Sequence, residues 1–138
     1  MNRRLTRNAP RDRGAAAVEF ALLLPMLLLL VFGIIDFGRA LNAQITLTQA
    51  AREGARLEAL GQPNVVSRTQ AAATGLSGVT VSVMTACLPG AGSGANAVVQ
   101  TSYSFSFITP ISAIAGMFGG SYGSTMTLTA KGVMPCET

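Results

Sequence analysis

The chain contains no histidine and only two cysteines, Cys87 and Cys136, in 138 residues. Without histidine and without a Cys-x-x-Cys pair, the usual zinc and redox spacings are missing. The segment after residue 60 holds a single carboxylate, Glu137, so no two acids can divide acid and base roles there. No Gly-rich phosphate loop ending in Lys-Ser or Lys-Thr occurs either. The chain therefore reads as a structural or binding protein rather than an enzyme, with no cofactor, no metal and no small-molecule substrate expected.

Charge is scarce where the chain is most apolar. Ala15 to Ile35 is a run of twenty-one residues whose one charge is Glu19. An apolar helix needs about 20 residues to cross a bilayer core. The run holds seven leucines, and each favours insertion by roughly 0.3 to 0.6 kcal/mol, enough together to outweigh one carboxylate near the end. Residues 15–35 are thus expected to span a membrane. Pro25 removes a backbone hydrogen bond inside the run and should kink it, which membrane helices tolerate. A secretory signal would have a shorter apolar core followed by a small-x-small site. Uncleaved anchoring, or cleavage before the run, remains.

Arg3, Arg4, Arg7, Arg11 and Arg13 precede Gly14 with only Asp12 against them, and the rest of the chain carries five basic and five acidic residues. The net charge of +4 therefore belongs to residues 1–14. A basic segment abutting a first span stays cytoplasmic, which puts the N-terminus inside and the chain beyond residue 36 outside. No aromatic residue stands among these arginines to stack on bases, so nucleic acid is not an expected partner. Residues 1–13 are polar, cannot bury a core and are expected to be disordered.

Beyond Ile35, Phe37, Leu41, Ile45, Thr48, Ala51 and Ala55 recur every three to four residues, one face of a continuing helix. Gly61 can supply a left-handed cap and Pro63 forbids continuation, so the helix is expected to end near Leu60. From Ala15 to Leu60 that is roughly 69 Å, about twice a bilayer core. A short second helix is expected over 64–74, with Gly75 at its end.

The period then changes to two. Val79, Val81 and Val83 alternate with polar residues, as do Tyr103, Phe105 and Phe107, and Met126, Leu128 and Ala130. These read as three half-buried strands. Residues 89–96 form a Gly-rich loop, and 110–118 a short apolar turn or helix with glycines around it. The expected fold is α+β: a long N-terminal helix continuing into a small antiparallel sheet of three or four strands that packs on its outer half. The divisions are a leader over 1–14, a helix over 15–60 with residues 15–35 in the membrane, and an extracytoplasmic domain over 61–138. On the outer side Cys87 and Cys136 can form a disulfide; two buried thiols are the alternative.

Glu19 lies five residues into the apolar run. If the chain were cut after Gly14, Ala15 would become a free amine one helical turn away, able to pair with Glu19 on its own or a neighbouring chain. A carboxylate reaching the membrane surface with no partner is the other reading.

The basic leader, Gly14, and Ala-Ala-Ala-Val-Glu19-Phe20 before a Leu-rich span resemble the prepilin peptidase site of type IV pilins of the Flp and Tad class. Phe20 stands where major Flp pilins carry tyrosine. The longer run through Pro25, then Phe32-Gly-Ile-Ile-Asp36-Phe37-Gly38-Arg39, then Arg52-Glu53-Gly54-Ala55-Arg56, resembles the TadE-like family of minor pilins. The resemblance implies cleavage after Gly14 by a membrane prepilin peptidase and docking through Glu19 and Phe20. Its implied partners are other pilins and minor pilins, met through the N-terminal helix, and the assembly platform in the membrane. It also implies a single-pass protein of the bacterial inner membrane with a periplasmic C-terminal domain, acting in tight-adherence pilus assembly. It assigns Asp36, Arg39, Arg52, Glu53 and Arg56 no chemistry, and these are expected to be solvated or to pair along the helix. A main filament subunit and an uncleaved, signal-anchored periplasmic binding module are the alternatives.

Overall fold

The computed structural model describes residues 11–88, 94–110, 113, 116, 119 and 125–137, the side chains of 11–13 apart. Its elements are α1 (Arg11–Ala59), α2 (Val65–Ala72), β1 (Thr80–Thr85), β2 (Asn96–Ser106) and β3 (Thr125–Pro135). The three strands form one antiparallel sheet in the order β1-β2-β3. The fold is therefore α+β, a long apolar helix followed by a small antiparallel sheet.

Helix α1 is continuous through Pro25. It stops because the chain turns left-handed at Gly61, φ +60°. The Gln62 N–H then donates to the Leu57 carbonyl at 2.9 Å and the Gly61 N–H to that of Glu58 at 3.0 Å. This paired arrangement satisfies the helix's last carbonyls. The Glu137 N–H donates to the Ala59 carbonyl at 3.3 Å, so the end of the chain helps to close the same terminus. Helix α2 follows directly, entered through Asn64 in a left-handed conformation.

The sheet lies along the outer half of α1, with β2 antiparallel to it. Arg39 reaches the Ser106 carbonyl at 3.5 Å, and the buried Thr101 hydroxyl donates to the Leu47 carbonyl at 3.2 Å. Further along, Gly54 lies against Val99. The lengths agree: residues 36–59 rise about 35 Å at helical pitch, and β2 extends about 33 Å at strand pitch. On the edge strand β3, the outward Thr129 carbonyl accepts from the Gln44 amide at 2.8 Å.

The face of α1 that the sheet covers differs from the one expected. Asp36, Ala43, Leu47, Ala50, Ala51, Gly54, Ala55 and Leu57 are buried, whereas Phe37, Leu41 and Ile45 are exposed. Only Ala51 and Ala55 of the expected stripe reach the core. The reason is separation: a Cβ at Gly132 of β3 would meet the Ala51 carbonyl and stand 2.7 Å from the Arg52 nitrogen. Backbones this close admit only small residues at the crossing, so Ala50, Ala51, Gly54 and Ala55 turn inward there, with Leu47 and Leu57 buried before and after it and Phe37, Leu41 and Ile45 turned outward.

Strands β2 and β3 run further than the alternation suggested, to Asn96 and Pro135. The Gly-rich segments expected at 89–96 and 110–123 fall largely outside the described residues, as do residues 1–10. Cys87, past β1, and Cys136, past β3, are joined in a disulfide with a Cα–Cα distance of 5.7 Å.

Candidate assembly site on the long helix

Four of the expected site residues sit at the start of α1. Gly14, Ala15, Glu19 and Phe20 are all exposed. The helix begins at Arg11, about one turn before the expected Ala15, so the Gly14–Ala15 bond lies within helical backbone. Among the described residues, nothing outside the helix's own backbone stands within 4 Å of a Cβ placed on Gly14. Glu19 follows Ala15 by four positions, a rise of about 6 Å along the same face. α1 is long and apolar enough to cross a membrane, and none of its most apolar stretch is buried inside the protein. Val18, Leu22, Leu27, Leu30 and Ile34 all present their side chains outward.

At the other end of this stretch stands Asp36, for which the sequence suggested no role beyond a solvated charge or a pairing along the helix. It is 1% exposed. Its carboxylate accepts from the Ile108 N–H at 3.2 Å, the Thr109 N–H at 3.3 Å, the Thr109 hydroxyl, and the Arg39 guanidinium at 3.3 Å. A buried carboxylate is costly unless it is bonded on all sides. Here the chain just past β2 wraps over it. The Thr109 hydroxyl first, then the two backbone N–H groups and Arg39, hold the Asp36 carboxyl below its ordinary range against the opposing effect of desolvation. The available signal was a carboxylate directly after a twenty-one-residue apolar run. That signal did not show which distant segment would close over it.

Arg39 completes the cluster. Its guanidinium lies 5.1 Å from the centre of the Phe105 ring, and Phe105 packs edge-to-face on Phe107 at 5.6 Å. The other helix charges behave as expected: Arg56 and Glu53 are 3.7 Å apart and largely solvated, a weak pairing along the helix. The run Gly119-Gly120-Ser121-Tyr122-Gly123 has the spacing of a nucleophile elbow. It makes no case for acyl transfer, because the chain has no histidine to activate the serine.

Two features thus bracket the exposed apolar half of α1, the exposed residues Gly14 and Ala15 with Glu19 one turn on, and a satisfied buried carboxylate at position 36. The model of the TadE-like protein family matches residues 14–56. No curated protein and no solved structure matches the chain.

Proposed function

From a helix that is TadE-like over residues 14–56, consistent with a TadE-like protein of the Tad pilus system, we propose that this protein is a minor pilin. It is cut after Gly14 by a prepilin peptidase and acts in assembling tight-adherence pili. The observation that carries the reading is where the match lies. It begins at Gly14, takes in Glu19 and the whole exposed apolar stretch, and ends inside the part of α1 that carries the sheet.

In this reading residues 15–35 cross the inner membrane, the arginines before Gly14 stay in the cytoplasm, and the sheet domain stands in the periplasm. The peptidase works at the cytoplasmic face. Hydrolysis of the Gly14–Ala15 bond releases the basic leader and leaves an ammonium on Ala15. That charge and the Glu19 carboxylate are then available to pair between neighbouring subunits. In the low dielectric of packed helices such a pair offsets much of the cost of burying either charge. Phe20 and the leucines that follow provide the apolar surface along which subunits pack. A sheet domain of this size would crowd a thin filament, which favours a minor subunit over a main one.

The test is assembly of a Glu19→Ala variant. It should insert in the membrane at the normal level yet fail to copurify with other pilins, and Glu19→Gln should fail equally. Normal incorporation of either variant would refute the docking role. Gly14→Leu should accumulate with its leader attached, and a chain beginning at Ala15 in that variant would overturn the cleavage site.

A further inference from the structure

We propose that the membrane-facing end of the sheet domain is itself seated in the headgroup layer of the bilayer, a lipid surface being its partner. The proposal rests on the reading of residues 15–35 as the span.

Position comes first. Asp36 immediately follows the span and accepts from the backbone N–H groups of Ile108 and Thr109 and from the Thr109 hydroxyl. Residues 107–109 are therefore fixed at the level where α1 leaves the hydrocarbon. Ile108 is 70% exposed there and Phe37 67%. The interfacial layer on each side of a bilayer core is about 5 to 7 Å thick. Phe37 rises about 2 Å past Asp36 and lies within it, whereas Ile45 rises about 14 Å and lies beyond it.

Composition points the same way. The chain has eight aromatic residues: Phe20, Phe32, Phe37, Tyr103, Phe105, Phe107, Phe118 and Tyr122. Residues 38–102 and 123–138 contain none, so the apolar part of the far half of the domain has no aromatic ring. Among the described residues, every aromatic outside the span lies at the end of the domain beside Asp36. Of these, Tyr103 carries the hydroxyl that favours that level of a membrane, Phe37 is exposed to it, and Phe105 is buried.

A groove of about 500 Å³ opens at the same height between α1 and the sheet. Ile34 and Ile35 from the end of the span form one part of its wall, and Arg39, Asn42 and Tyr103 another. Its polar side chains, Arg39, Asn42 and Tyr103, all stand above Ile34 and Ile35, mixed there with Ala43, Leu76 and Phe105. Charge is arranged accordingly. The acids of the outer domain other than Asp36 are Glu53, Glu58 and Glu137. Glu53 is about 25 Å along the helix from Asp36, and Glu137 bonds the far helix end. With Asp36 buried, the exposed charge nearest the membrane is Arg39, whose side chain is 40% exposed, a favourable sign toward phosphate headgroups.

The chain has no tryptophan, so a single introduced one reports its own surroundings. The full-length chain would be reconstituted in phosphatidylcholine–phosphatidylglycerol vesicles, one set carrying lipids brominated near the headgroup and a second, used for Leu24→Trp at mid-span, carrying lipids brominated deep in the acyl chain. Each of Leu24→Trp, Phe37→Trp, Ile108→Trp, Ile45→Trp and Leu88→Trp would be measured in turn. Leu24→Trp marks the span. The expected result is that Phe37→Trp and Ile108→Trp emit at shorter wavelength and lose most of their intensity to bromine, while Ile45→Trp and Leu88→Trp keep theirs. An unquenched Ile108→Trp beside a quenched Leu24→Trp would overturn the seat and leave the span intact. An unquenched Leu24→Trp would overturn the span reading and the seat with it. A blue shift at Ile108→Trp without quenching would mean that protein covers it, and would likewise refute a lipid partner.

Discussion

Asp36 accepts four hydrogen bonds, three from the segment after β2 and one from Arg39, and its charged form is the one they favour. Because its folded-state pKa is held below that of a free carboxyl, it contributes stability that is present above about pH 4 and is lost as pH falls further. Unfolding followed from pH 7 downward should show this loss in the native protein. Asp36→Asn, which keeps the shape and one acceptor but cannot ionise, should be less stable at pH 7 and flatter with pH. An unchanged pH profile in that variant would mean that Asp36 is not the titrating group. Hydrogen exchange at the Ile108 and Thr109 amides should accelerate in the same variant.

Two glycines make a sharper stability test at the same scale. A Cβ on Gly54 would meet the Thr69 hydroxyl and lie 3.0 Å from the nearest Val99 methyl. Gly54→Ala should therefore cost about 1 to 3 kcal/mol in chemical denaturation, more than the roughly 1 kcal/mol of helix propensity it gains. Thr69→Ala removes the obstructing atoms, so the double variant should recover a large part of the loss, a coupling that a denaturation cycle measures directly. Gly132→Ala has no such remedy, since its obstacle is the backbone of α1 at Ala51. It should destabilise the domain regardless of changes in side chains nearby.

Among the elements, the outer half of α1 is held to the rest of the domain at both ends by different chemistry: hydrogen bonds around Asp36 at one, and at the other the Glu137–Ala59 bond, next to the disulfide that ties the segments after β1 and β3 together. The bridge closes a separation of 49 residues, which the chain-entropy model values at about 4 kcal/mol. Replacing both cysteines by serine should lower the denaturation midpoint accordingly. It should also raise exchange near Cys136 and the end of α1 while leaving Ile108 and Thr109 protected. Uniform loss of protection along the domain would show that the two ends are not independent.

The elements themselves were largely legible in the sequence. Twenty-one apolar residues, Gly61 with Pro63, and three alternating runs are strong local signals. The buried face of α1 was not legible, because α1 offers two apolar stripes and size does not declare which one faces inward. That choice depends on how near β3 comes at Gly132, a contact between residues 81 apart in sequence, Ala51 and Gly132. Asp36 escaped for the same reason. Its partners lie 72 and 73 residues away, and no local pattern relates them. Glu19 was singled out as a lone carboxylate in an apolar run, and Gly14, Ala15 and Phe20 through their resemblance to a processing motif; none of the four is buried, so packing neither selects nor tests them.

At the scale of the whole molecule, the chain joins a helix half that its own fold leaves exposed to a half that its own sheet covers. Asp36 marks the boundary between them. In the function proposed above, something else covers the first half, lipid before assembly and neighbouring pilins after it. The central claim is that cleavage after Gly14 prepares that exchange by creating a charge four residues from Glu19. The measurement that tests it most directly is the N-terminal sequence of the protein recovered from membranes of cells with and without their prepilin peptidase. The account predicts Ala15 as the first residue when the peptidase is present and an intact leader when it is absent. A chain still beginning at Met1 in both, or one beginning at Ala15 in both, would contradict it.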